Sequence, residues 1–388
     1  MTAATQAPGR RRWRRALAGL AGVVALGASA CNDNTATGPS ATQMDQVSLG
    51  VVPIAASPAD LAAPPSPLNA QMAAVIAQLN AAHPIPIYTL SPALARNQPT
   101  PRDAVVATLA AQGLPASAAV QPVGNVVHRT ITGPGGPILT RVYTPAGGTG
   151  PFPVVVYYHG GGWVVYDLDT YDASCRAIAN AAGAVVISVA YRQAPTHKFP
   201  AATDDAFAAY RWALDSAAAV GGNPAKVAVA GESAGGNLAA VVSLMARDQG
   251  VKLPVYQALI YPILDFNFDT PSYHENANAP FLQRQAMQWF FDKYLPDQAT
   301  GANPYVSPMR ATSLAGLPPA TIVTSQLGVL RSEGQAYATK LAAAGVAVDY
   351  QNYAGVTHEF FSMNPVLDQA KAAVAQVAAG LKRGFGTP

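Results

Sequence analysis

The chain has 388 residues, enough for one large α/β domain or two ordinary ones with a sizeable buried core. Its formal net charge of +3 depends on five arginines, Arg10, Arg11, Arg12, Arg14 and Arg15. Without that cluster the chain is close to neutral, which excludes the electrostatic footprint of a nucleic-acid binder.

The arginines precede an apolar run from Ala16 to Ala30 whose single polar residue is Ser29. It is too short to span a bilayer and has the layout of a secretory signal peptide over residues 1–30. Ala28-Ser29-Ala30 supplies the small residues that a signal peptidase requires, and Cys31 follows at once. This junction resembles a bacterial lipoprotein signal, although such signals usually carry leucine where this chain has Ala28. The expectation is an exported protein, either anchored to a bacterial membrane by a lipid on Cys31 or secreted or periplasmic. Arg11-Arg12 hints at a twin-arginine route. A lipidated Cys31 would leave Cys175 without a partner for an intramolecular disulfide.

Residues 31–66 are rich in Ala, Pro, Ser, Thr and Asn and read as a flexible tether. Helical spacing begins with Leu68, Met72, Val75, Ile76 and Leu79, and a second helix is expected from Arg102 to Ala111, after Pro101. We read residues 67–125 as an N-terminal helical cap segment. From 126 to 388 the pattern changes to that of a single α/β domain. Val126 to Thr132 and Ile138 to Thr144 suggest a hairpin or edge pair, and Pro153 to Tyr158 an almost unbroken apolar strand buried on both faces.

Helices and strands then alternate. Helices are expected at Tyr171 to Ala182, Asp204 to Leu214, Arg331 to Ala344 and Val366 to Leu381. Strands are expected at Ala184 to Ala190, Val227 to Ala230, Val255 to Tyr261, Ala320 to Thr324 and Ala347 to Tyr353. This order implies an α/β fold with a mostly parallel sheet covered on both faces, and with sites beyond the carboxyl ends of its strands. Residues 266–305 interrupt the alternation, and their aromatic content suggests a helical cap folding over a pocket.

Two glycine motifs lie at strand ends. Gly231-Glu232-Ser233-Ala234-Gly235 stands between an apolar strand and an alanine-rich helix, the setting in which G-x-S-x-G forms a nucleophile elbow. Earlier, His159-Gly160-Gly161-Gly162 follows the buried strand, and its glycines let backbone N–H groups approach a substrate oxygen. The chain thereby resembles the bacterial branch of the hormone-sensitive-lipase-like (family IV) esterases and lipases of the α/β-hydrolase fold, over roughly residues 126 to 384. Tyr191 to Ala202 adds to the likeness through a segment similar to the family's Y-R-L-A-P-E-H-x-F-P-A.

The resemblance implies a serine nucleophile, Ser233, and a base, His358, on the loop after the last strand. It places the oxyanion hole at Gly161, Gly162 and the N–H of Ala234, with His159 anchoring the glycine loop. His197 belongs to the structural Tyr191 segment. His83, His128 and His274 have no catalytic context, and neither a metal nor a cofactor is indicated.

The acid departs from the family. Thr324 to Gly334 aligns with a segment whose core is D-P-L-R-x-E-G, and the expected aspartate falls on Gly328. Either another carboxylate serves, with Asp265 a better candidate than Glu333, or the enzyme works slowly with a Ser–His pair, or the pocket binds without turnover. The leading expectation is a serine carboxylesterase acting on short to medium acyl esters through an acyl-enzyme. Its competitor is a non-catalytic ligand-binding protein on the same fold.

Overall fold

A computed structural model describes residues 67–387. The signal peptide, Cys31 and the tether read from the sequence lie outside the described residues. One eight-stranded sheet organises the rest, in the order β1-β2-β4-β3-β5-β6-β7-β8. β1 (Asn125–Gly133) and β2 (Gly136–Thr144) form an antiparallel hairpin at one edge, with Gly133 opposite Gly136 across the turn. β2 also runs antiparallel to β4 (Val185–Val189). The remaining pairs are parallel: β3 (Phe152–Tyr158) between β4 and β5 (Gly222–Glu232), then β6 (Gln257–Ile260), β7 (Ala320–Leu327) and β8 (Val348–Thr357).

Side-chain alternation along these strands builds two cores. Val154, Val156 and Tyr158 of β3 join Val227 and Val229 of β5 on one face, whereas Val155 and Tyr157 join Ala228 and Ala230 on the other. Because both faces are buried, β3 reads as a continuous apolar run and not an alternating one. Three helices cover the first face, α4 (Ala201–Ser216), α5 (Ala234–Asp248) and α7 (Arg331–Ala343), and α6 (Arg284–Tyr294) joins the same core. The other is covered by α1 (Ala70–Ala81), α2 (Pro101–Ala111), α3 (Asp172–Ala182) and α8 (Asp368–Phe385).

The two N-terminal helices are more deeply integrated than a cap segment suggests. Met72 and Val75 of α1 and Val105 and Leu109 of α2 are buried in the same core as Tyr171, Ile178 and Phe361. Thr100 and Asp103 start α2 with a capping box, and Pro101 occupies the first turn, where its missing N–H costs nothing. Residues 266–305 contain no strand; their main element is α6, whose aromatic face packs inward. Tyr294 stacks on Trp163 at 4.1 Å between centroids, and Phe291 meets the same indole at 5.3 Å. The insertion therefore covers the glycine loop and also supplies core to it.

Three strands run further than hydrophobicity alone indicates. β5 extends to Glu232, β7 to Leu327 and β8 to Thr357, because parallel pairing continues through polar residues such as Ser325 and Asn352. The functional consequence is register: Leu327 lies opposite Thr357, which sets Gly328 and His358 side by side at the carboxyl ends of β7 and β8.

Candidate active site

Ser233 sits in the turn between β5 and α5 with φ 55° and ψ −117°, a region that residues other than glycine rarely occupy. The strain is held by backbone bonds on both sides. Ser233 N donates to Ile260 O at 2.9 Å, and Ser233 O accepts from Asn237 N at 3.0 Å and Ile263 N at 3.2 Å. Glycine is required at the turn's close approaches. A Cβ on Gly235 would overlap the carbonyl of Tyr158, and one on Gly231 would overlap the carbonyl of Gly235. Asn237 ties the elbow outward, donating to Ile263 O at 2.9 Å and Val306 O at 2.8 Å.

The glycine loop lies against this elbow, since the carbonyls of both Tyr158 and His159 face Gly235. Gly161 and Gly162 have φ +98° and +57°; side chains there would overlap Val165 O and the Phe290 ring. Gly161 O closes the turn by accepting from Val164 N and Val165 N at 3.0 and 2.9 Å. His159 is buried beneath it, with Nδ1 2.8 Å from Gly160 O and its ring stacked on Tyr191 at 4.4 Å. Burial lowers the His159 pKa to about 4, so the ring is neutral and serves as a fixed support.

The Tyr191 segment buttresses the same loop. Tyr191 OH donates to His159 O at 2.8 Å, Gln193 Nε2 donates to Tyr166 O at 2.8 Å, and Arg192 grips the buried Asp205 through Nε and Nη2. His197 is exposed and takes no part in the site, as are His83 and His128.

His358, one residue beyond β8, places Nε2 2.9 Å from Ser233 Oγ. Both residues are almost fully buried, and Tyr261 packs on the imidazole at 4.5 Å. Nδ1 has no hydrogen-bond partner among the described residues. A neutral imidazole that accepts the serine proton at Nε2 carries its own proton on Nδ1, so the base is held in place without an acceptor behind it. Burial with no compensating charge drives the His358 pKa down to about 3.

Neither replacement acid considered from the sequence reaches this nitrogen. Asp265 is engaged elsewhere, accepting from Arg310 Nε at 2.6 Å. Glu333 is buried at the start of α7 and accepts from Leu264 N at 2.8 Å, with its pKa raised well above the carboxylate range by desolvation. Both readings are corrected by geometry. The carboxyl-end loop that carries Asp265 is pinned by Arg310, and the first turn of α7 aims Glu333 at the β6 loop.

Two other buried carboxyls do lie at the centre, and the sequence reading passed over both. Glu232, inside the elbow, accepts from Tyr157 OH at 2.5 Å and from Tyr261 OH, and burial pushes its pKa up to about 7. Glu359, next to His358, has Oε1 3.8 Å from His358 Nε2. Their only signal in the sequence is adjacency to the two motif residues.

Residues 155–362 match the family described as the alpha/beta hydrolase fold, and the chain belongs to it. Within that family it is similar to the carboxylic ester hydrolase LipN of Mycobacterium tuberculosis, 45% identical over 62% of this chain and 65% of LipN. It is also similar to the carboxylesterase NlhH of the same organism, 43% identical over 64% of this chain and 79% of NlhH. A solved esterase from Pyrobaculum calidifontis superposes with a TM-score of 0.66 at 44% identity, covering 69% of this chain and 87% of that one.

Proposed function

We infer that the protein is a serine carboxylesterase and that Ser233 and His358 carry the reaction. The observation that bears most weight is the 2.9 Å contact between Ser233 Oγ and His358 Nε2 on a strained elbow turned against the glycine loop. Ser233 Oγ attacks the ester carbonyl and its proton passes to His358 Nε2, while the carbonyl electron pair moves to the oxygen facing the N–H groups of Gly161, Gly162 and Ala234. The imidazolium then protonates the leaving alcohol as the C–O bond breaks, giving an acyl-enzyme. Water, activated by the same imidazole, attacks the acyl carbon and restores Ser233.

An apolar cleft of about 130 Å³ lies beside the glycine loop, lined among others by Leu79, Ile85, Ile87, Val165, Tyr166 and Phe281. The low basicity of His358 makes the proton transfer slow, since a base is most effective with a pKa near the working pH. A purely ligand-binding role gives no reason for the aligned hydroxyl and imidazole.

Fluorophosphonate labelling is expected at Ser233, and p-nitrophenyl butyrate hydrolysis is expected above that of a Ser233→Ala control. Equal rates for the two proteins would overturn this reading. We further propose that the protein is exported and held at a membrane by a lipid on Cys31. Expressed with its leader in a bacterial host, Cys31→Ser should move the protein from the membrane to the soluble fraction; unchanged fractionation would count against the anchor.

A further inference from the structure

The base lacks a carboxylate at Nδ1, yet it is not remote from one. Glu359 is buried, and its Oε1 lies 3.8 Å from Nε2, the nitrogen that receives the serine proton. That is too long for a hydrogen bond but well inside the range at which a charge shifts a neighbouring titration. The side chain is held there deliberately. Glu359 has φ 69°, in the left-handed region, and the Tyr171 hydroxyl sits 3.0 and 2.9 Å from its two oxygens. Tyr171 is itself fully buried at the start of α3.

The groups facing Glu359 are His358 on its own loop, Tyr171 before α3, Tyr166 beyond the glycine loop, Tyr261 after β6 and Glu232 at the end of β5. Among the described residues none of its ion-pair partners is a lysine or arginine. We propose that Glu359 is a positioning residue for the hydrolysis, supplying from the Nε2 side the counter-charge to the His358 imidazolium that Gly328 no longer allows from the Nδ1 side. The inference rests on the esterase reading above.

The carboxylate neither gives nor takes the proton in this role. It stabilises the cation formed when Oγ–H transfers to Nε2, and so raises the basicity of His358. Burial, followed by the nearby Glu232, raises the Glu359 pKa to about 8. The carboxyl is therefore neutral below that pH and charged above it, so its assistance appears as pH rises through about 8. This is the opposite of an enzyme limited only by its histidine, whose base form would already be complete far below neutrality.

The test is the pH profile of kcat on p-nitrophenyl butyrate, with each rate corrected by Ser233→Ala. The native ratio of kcat at pH 9 to kcat at pH 6 is expected to be roughly ten, as an opposite charge at this distance shifts a titration by about 1–3 units. Glu359→Gln should bring that ratio close to one, and Glu359→Asp should retain part of the rise. A structural role alone would lower the rate equally across the range. If Glu359→Gln does not fold, Gly328→Asp decides with Glu359 intact, because a carboxylate at Nδ1 should abolish the step centred near pH 8 and leave only a limb at lower pH. A step near pH 8 that persists in Glu359→Gln, or in Gly328→Asp when that variant gains activity, would overturn the proposal. Absence of any activity above Ser233→Ala would instead remove the esterase reading itself.

Discussion

Gly328→Asp, made together with Ser325→Ala, is expected to raise kcat on p-nitrophenyl butyrate by about 10²–10⁴-fold. The upper end follows from a subtilisin-type triad, where losing the acid alone costs about 3 × 10⁴ in kcat. The position is right for the chemistry. Leu327 pairs with Thr357, so positions 328 and 358 follow directly on paired residues at the ends of β7 and β8. The backbone also allows it, since Gly328 is not among the glycines with positive φ. What stands in the way is Ser325, whose Oγ lies where the new Cβ would go. A serine rotamer can swing aside, but the double variant removes the overlap and separates steric from electrostatic effects.

The same variant should change the pH profile in a defined direction. With no counter-charge at Nδ1 the His358 pKa lies near 3. An aspartate accepting from Nδ1–H favours the protonated ring, so the pKa rises and an acidic limb enters the measurable range. Activity would then fall as pH drops below the new value, in place of the native change near pH 8. A folded variant with neither the gain nor the limb would mean that the carboxylate fails to reach Nδ1.

How far the site could be read from the chain depends on whether each residue's role is local. Ser233 and Gly161 were legible because strain and close backbone approach impose glycine and serine at fixed short spacing. His358 was legible as the histidine after the last strand. The carboxylates were not, because a carboxyl's role is set by what it meets in space. Asp265 meets Arg310, which lies beyond the insertion, and Glu333 meets a backbone N–H of the β6 loop. Neither contact leaves a trace in the spacing of the residues around it.

Glu359 shows the converse. It sits beside a catalytic candidate in the chain, where an exposed charge is the ordinary expectation for a loop, yet it is 4% exposed and tied to Tyr171 from a distant helix. The fold had a similar boundary. β3 and the alternation after it follow from apolar runs, whereas the polar ends of β7 and β8 depend on pairing with a neighbour. Those ends decide which residue faces His358, so the least legible part of the sheet is the part that matters most for the base.

Ser233→Ala should therefore have an unusual size and an unusual context dependence. In an intact subtilisin-type triad, removing the nucleophile costs about 2 × 10⁶ in kcat and removing the acid alone about 3 × 10⁴, because the members act as a unit. A chain already lacking its acid at Nδ1 has correspondingly less to lose, so Ser233→Ala in the native sequence is expected to cost only about 10²-fold at neutral pH. In the Gly328→Asp, Ser325→Ala background the same change should cost about 10⁴–10⁶-fold, since the restored triad again depends on its nucleophile. Comparing kcat for p-nitrophenyl butyrate in the four proteins would give the coupling directly. If Ser233→Ala costs the same factor in both backgrounds, residue 328 is not coupled to the nucleophile through His358. A native loss well above 10², growing as pH rises past about 8, would locate the missing charge at Glu359.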